Sequence, residues 1–448
     1  MRNLNNRVLP ALAPFALALC LSGCNFLFFT DAGDEASIRV IEPEAFGSGF
    51  GGALSAVDDG SGQSRLYVTS RGTARIDIYA GWNQGQTSLD IDIPRLDTFC
   101  QKDCDRASAA KELNSKVGGV WDGTSFCGYG PAFKHNGNAI AVVQNCGSED
   151  VFTTFPGDVD NPPFEMGSAV VPYGGTTSDG VVLSDPENQR LLSVTKDEGD
   201  EFDLGEFKPK DKLGLAMGSF PLDADNTRLA VSDGDEVVLL DIDENRAITV
   251  KGCLDAPSSS SIVLGDLIGD DGEPEILVGT TQGVLVFEGE SAANEGCSGA
   301  LLKPTQSFDC SDLQYDNNTA GACSSVEERS AAVALADVNG DGRPELLVGA
   351  PATEVEGSAN AGAVFVIPTA DDNDEPIVLG DAVSLPHPNP KAGAHLGAAV
   401  AALRTFPSAG ARDEIVAGVP GKNRAYVYLC SGLAQDKPGG KLDVLCQP

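Results

Sequence analysis

Between residues 334 and 351 the chain reads ALADVNGDGRPELLVGAP, and oxygen-bearing side chains recur there at a regular spacing. Asp337, Asn339 and Asp341 occupy alternate positions, and Glu345 follows after a glycine, an arginine and a proline. A hard cation such as Ca²⁺ takes about six to eight oxygen ligands at roughly 2.3–2.6 Å, mixing carboxylates with backbone carbonyls. The first, third and fifth side chains of this stretch can converge on one centre. Arg343 at the seventh place can offer its backbone carbonyl, and Glu345 closes the set at the ninth. Gly342 permits the sharp reversal that wraps an ion. An EF-hand would need a carboxylate at the twelfth place, which is Val348, and helices on both sides, where this chain has strand-like apolar runs. The spacing predicts a calcium loop between two strands. The competing expectation is an Asx-type acidic turn without metal.

The elements that must hold such a loop recur. Residues 263–280, VLGDLIGDDGEPEILVGT, repeat the order of apolar strand, acidic glycine loop, Pro-Glu and second apolar strand. Here the candidate ligands are Asp266, Asp270, Asp271 and Glu275. Asp266 lies one residue early, and Ile268 and Gly269 carry no oxygen, so either the loop bulges or the ion is lost. A third copy, AALRTFPSAGARDEIVAGVPG at 401–421, keeps the strands and loses the acids. The closing glycines Gly279, Gly349 and Gly418 are 70 and 69 residues apart, which defines a repeat. Plain turns are expected at Asp58 and Asp59, at 223–225 and at 404–412.

Weaker copies at 50–80, 129–155, 167–195 and 218–243 bring the total to seven units. Their alternating β-branched and aromatic residues, bounded by Gly, Asp and Pro, read as short antiparallel strands. Units of this size cannot bury a core alone and must stack. The expected fold is all-β, a seven-bladed β-propeller of four-stranded antiparallel blades occupying 46–448, with disulfide-braced loop insertions at about 81–125 and 289–329. A short helix is expected at 107–116.

The N-terminus reads as an export signal over residues 1–23, with Arg2 and Arg7 ahead of an apolar stretch too short to span a bilayer. Leu21-Ser22-Gly23-Cys24 resembles the lipobox of bacterial lipoproteins, which implies cleavage before a lipid-modified Cys24, an acidic tether over 24–45, and a place in the cell envelope.

 The expected location is accordingly the bacterial envelope, lipid-anchored at the outer membrane and facing the periplasm or the surface. Ten further cysteines form an even set, which in an exported chain argues for disulfides. The expected pairs are Cys127 with Cys146, Cys253 with Cys297, Cys310 with Cys323 and Cys430 with Cys446, leaving Cys100 with Cys104. Zinc is disfavoured, because no CxxC pair occurs and His135, His387 and His395 lie far from most cysteines.

The formal charge is -36, from 30 basic and 66 acidic residues. Such a field repels nucleic acid and attracts divalent cations, while 42% hydrophobic residues exclude general disorder.

Taken together, the motifs resemble FG-GAP repeats, the units of the integrin α-chain N-terminal β-propeller and its bacterial relatives. Phe50-Gly51 and Leu396-Gly397 stand at the first element, the Asp337 loop at the second, and Gly349-Ala350-Pro351 and Gly418-Val419-Pro420 at the third. The match is specific over 260–430 and fades towards the N-terminus. The resemblance implies calcium as a structural staple on one face of a disc, with ligands bound by loops of the opposite face.

Catalytic signatures are missing from the sequence. There is no GxSxG, no HExxH, no histidine cluster and no SxDxGxxW box, and Trp82 and Trp121 are the only tryptophans. His395, at the Phe-Gly-like position, is expected to pack. The leading expectation is a non-catalytic binding or adhesion module for a protein or polysaccharide. The alternatives are a hydrolase or lyase with an acidic central funnel, its carboxylates unassignable from sequence, and a structural subunit of an envelope complex.

Overall fold

The second strand of each clear repeat is apolar at nearly every position: EILVGT, ELLVGA and DEIVAGV. A strand with one solvated face would alternate, so these runs require cover on both faces. In the computed structural model all three are buried at every residue. The structure describes residues 38–42, 49–58, 64–70, 75–80, 95–100, 118–121, 126–135, 139–146, 150–156, 169–174, 180–195, 199–205, 207–267, 272–289, 297, 301–309, 331–369, 382–404 and 412–429; for 95–156 it describes the backbone alone.

The described chain is all-β, with almost no helix, and is consistent with a β-propeller. Its strands form seven four-stranded antiparallel sheets. In chain order the first six span 50–100, 118–156, 170–201, 213–255, 261–309 and 332–386. Strands follow in sequence order within each of these. The seventh sheet joins three strands from 400–428 to Ile38–Ile41, whose register runs from Ile38 opposite Tyr428 to Ile41 opposite Ala425. The meander puts the turns between first and second strands at one end of every sheet, called here the loop pole. The turns between second and third strands lie at the other end, the glycine pole.

The cores lie between sheets. One apolar cluster joins sheets three and four, another four and five, another five and six, another six and seven. A further cluster sets Phe50, Leu54, Leu66 and Val68 of the first sheet against Ala401, Leu403, Val416 and Val427 of the seventh. The first strand of the second sheet lies against those of its two neighbours.

At the glycine pole, backbones meet where a side chain would not fit. A Cβ on Gly349 would fall on the carbonyl oxygen of Gly397, and one on Gly418 on that of Gly51. Gly51 and Gly397 have φ of +82° and +84°, the left-handed region that glycine enters without strain. The Phe-Gly element of one sheet thus rests on the Gly-Ala-Pro element of the sheet before it.

Several expectations need correction. The stretches 81–125 and 289–329 are not wholly inserts, because Arg95–Cys100, Gly118–Trp121 and Gln306–Asp309 are strands of the sheets. The tether loses Ile38–Ile41 to the seventh sheet, so the folded unit begins before residue 46. Part of the later stretch also covers an edge: Leu302 donates to the Cys253 carbonyl at 3.0 Å and accepts from Asp255 at 2.9 Å, along the outer strand of sheet four. Cys253 and Cys297 are disulfide-bonded, as the cysteine pattern suggested. Cys127 and Cys146 stand opposite each other in register on neighbouring strands. Cys24, Cys104, Cys310, Cys323, Cys430, Cys446 and the 107–116 helix lie outside the described residues, as does the side chain of Cys100. Among the described residues no helix is long and apolar enough to cross a membrane.

Two glycines separate packing from backbone strain. Gly357 has φ +78° and open space around it, so Gly357→Ala is expected to cost about 1–2 kcal/mol of left-handed strain. Gly349→Ala must instead push two sheets apart, at about 1–3 kcal/mol, and is expected to loosen the joint between the sixth and seventh sheets. Denaturant unfolding gives both losses, and faster amide exchange in the seventh sheet should accompany Gly349→Ala alone.

Candidate metal centre

The acidic loop at 337–344 is pinned at both ends. Strands Ala332–Ala336 and Glu345–Ala350 pair with Ala336 opposite Glu345, so the loop's last oxygen donor is also the first residue of a buried strand. Val338 is fully buried and anchors the loop in the core shared by sheets six and seven. Gly340 and Gly342 have φ of +83° and +91°, and nothing crowds Gly342, so conformation alone demands glycine there.

The side chains organise the loop's backbone. Asp337 accepts the N–H groups of Gly340 and Gly342 at 2.7 and 3.0 Å. Asn339 Oδ1 accepts from Asp341 N–H, and Asp341 Oδ1 from Arg343 N–H, both at 2.8 Å. Glu345 Oε2 accepts from Val338 N–H at 2.8 Å. The Asn339 amide group then donates to Asp341 Oδ2 and Glu345 Oε1, each at 2.8 Å. Asp341 and Glu345 are therefore joined through Asn339, while the Asp337 carboxylate faces the backbone N–H groups of Gly340 and Gly342. Among the described residues no three His, Cys, Asp or Glu side chains stand together as a ready-made metal cluster.

The electrostatics favour a cation. Glu345 is 3% exposed, and its carboxyl is pushed up to about 7, first by burial and then by the charges of Asp341 and Asp337. Asp337 is also raised, mainly by burial, with Asp341 and Asp413 adding to the effect. Oxygen donors, gathered negative charge and the glycine turn fit a hard divalent ion. Asp337, Asn339, Asp341 and Glu345 would supply side-chain oxygens and Arg343 a carbonyl.

The Asp266 loop keeps the same frame with one residue more. Asp266 Oδ2 accepts from Gly272 N–H at 3.2 Å and Glu275 Oε2 from Leu267 N–H at 2.7 Å, matching the bonds of Asp337 and Glu345. Asp270 and Asp271 lie outside the described residues. Positive charge reaches this loop from the protein itself: Arg228 of sheet four, 3% exposed, pairs with Glu273 as well as with Asp241, the latter at 2.9 Å. At 223–226 the expected plain turn is present, with Asp223 Oδ1 accepting from the N–H groups of Asp225 and Asn226 at 2.8 Å.

Sequence reasoning missed two partners. Asp413 accepts from Asp337 N–H at 3.0 Å, and Arg412 Nε donates to the Asn339 carbonyl at 3.0 Å. Both belong to the acid-poor third copy. The available signal was positional: Asp413 pairs opposite Arg404 just as Glu345 does opposite Ala336. Of the histidines, His395 is buried with φ +60° and its Nδ1 3.3 Å from the Pro351 carbonyl. His387 packs edge-to-face against Tyr426, at the glycine pole.

A carboxyl that holds its proton up to about pH 7 in the fold, but only to about 4.5 when unfolded, favours the folded state below that window. As pH rises from about 4.5 to 7 the unfolded chain ionises first, and the stability contributed by Glu345 is lost. In metal-free protein, melting should fall across this range more steeply for wild type than for Glu345→Gln, by the equivalent of about 1–3 kcal/mol. Parallel pH dependence of the two would remove Glu345 as the cause.

No curated protein matches the chain significantly. Residues 330–367, which hold the whole loop with both of its strands and the Gly-Ala-Pro element, match the FG-GAP repeat.

Proposed function

We propose that the chain is a seven-bladed β-propeller of the cell envelope, stapled by calcium and anchored by lipid on Cys24, that binds a protein or polysaccharide without catalysis. The observation that carries this reading is the Asp337 loop, in which buried negative charge and converging oxygens lie within an FG-GAP repeat. Closure as a propeller is supported by the apolar cluster between first and seventh sheets and by the pairing of Ile38–Ile41 with the last strand. Calcium in this setting is structural. It would tie the first two strands of the sixth blade together at the loop pole and leave the turns of the other pole for a partner.

Chelation tests the cation. With calcium at about 100 times its dissociation constant, removal is expected to lower stability by about 3 kcal/mol, read as a fall in Tm. Asp337→Ala should melt low with or without calcium. Identical melting of wild type in calcium and in EDTA would leave the metal-free turn as the correct reading. Anchoring is checked by phase partition of cell extracts: the wild-type chain should enter the detergent phase, and Cys24→Ser should move to the aqueous phase.

A further inference from the structure

We propose that Asp413, on the seventh sheet, is a positioning residue for the cation loop of the sixth, setting its affinity without touching the ion. The proposal rests on the calcium reading above. Asp413 opens the second strand of its sheet and is 7% exposed. Its Oδ2 accepts from Asp337 N–H at 3.0 Å, and its own N–H donates to the Asp337 carbonyl at 2.7 Å. The first ligand of the loop is therefore held by its backbone in both directions, from a neighbouring sheet. Arg404 Nε, 3.0 Å from Asp413 Oδ1, fixes the carboxylate's orientation. Arg412 Nε reaches the Asn339 carbonyl at 3.0 Å, so the third position is tied to the same neighbour.

The contact is one case of a wider device. At the same place in sheet four, Thr227 Oγ1 accepts from Gly174 N–H of sheet three at 3.0 Å. In sheet one, Ser64 Oγ accepts from Arg404 N–H of sheet seven at 3.3 Å. In all three, the opening residue of a second strand takes the N–H at the end of the preceding sheet's first strand. Of these three joints, the one between sheets six and seven takes the N–H of a residue in the proposed ion site, which connects that joint to ion binding.

Because hydroxyls make this clamp elsewhere in the chain, Asp413→Thr and Asp413→Val form the test. The two side chains are nearly the same shape, both suit a strand, both lack the charge, and only threonine can accept the Asp337 N–H. Calcium titration calorimetry on the metal-stripped full chain should show Asp413→Val binding about tenfold or more weakly than Asp413→Thr, the usual scale for losing a group that orients a ligand. Melting in EDTA verifies that both fold. Should the valine variant not fold, Asp413→Ala against Asp413→Asn makes the same comparison. Equal calcium affinities in the pair, whatever their metal-free melting, would overturn the positioning role while leaving the calcium reading intact. Wild-type protein that takes up no calcium would sink both.

Discussion

Everything in this fold depends on strands that are apolar on both faces. A sheet whose central strands are Glu275–Thr280, Glu345–Ala350 or Asp413–Val419 cannot leave either face in water, so it is stable only between two others. Each buried aliphatic side chain is worth about 1.5–3 kcal/mol on transfer from water. That gain is available only when neighbouring sheets come close enough to exclude solvent. The glycine contacts are what permit the approach: Gly349 against Gly397 and Gly418 against Gly51 are backbone-to-backbone, and any Cβ there would hold the faces apart. The Phe-Gly and Gly-Ala-Pro elements thus follow from packing geometry. They recur because every sheet meets the same constraint.

Stacking leaves two terminal sheets with an exposed face unless the first meets the last. Here they share a core cluster, and Ile38–Ile41 supplies the outer strand of the final sheet, so the chain's beginning and end are bonded in one ladder. Gly49 N–H donates to the Asn423 side chain at 2.6 Å, and Arg424 pairs with Glu42 at the same distance, beside that ladder. Contacts this distant in sequence carry a high loop-closure cost.

Legibility in the sequence followed burial. Second and third strands, covered on both sides, wrote long β-branched runs that gave the repeat and its period. The outermost strands, such as Gln306–Asp309 with one buried residue in four, carry little apolar pattern and were read as insert. Ile38–Ile41 was read as tether because its partner lies at the far end of the chain, and no local pattern reports such a pairing. The candidate ligand set of the Asp337 loop was legible because its residues lie within nine consecutive positions. The role of Asp413 was not, because it depends on which backbone N–H the next sheet brings within reach.

The loop pole shows how a chain of net charge -36 manages its acids at close quarters. Between sheets four and five the compensating charge is internal: Arg228 lies between Asp241 and Glu273, and Lys251 reaches Asp241 from the other side at 3.2 Å. Between sheets six and seven the arginines are already occupied, Arg404 by Asp413 and Arg412 by a backbone carbonyl. The Glu345 carboxyl is raised first by its burial and then by the charges of Asp341 and Asp337 beside it. A carboxylate pair that holds the loop backbone, Asp266 with Glu275 and Asp337 with Glu345, thus stands at both joints, with an arginine bound to a loop acid at one and arginines bound to the neighbouring sheet's own acid and to a loop carbonyl at the other.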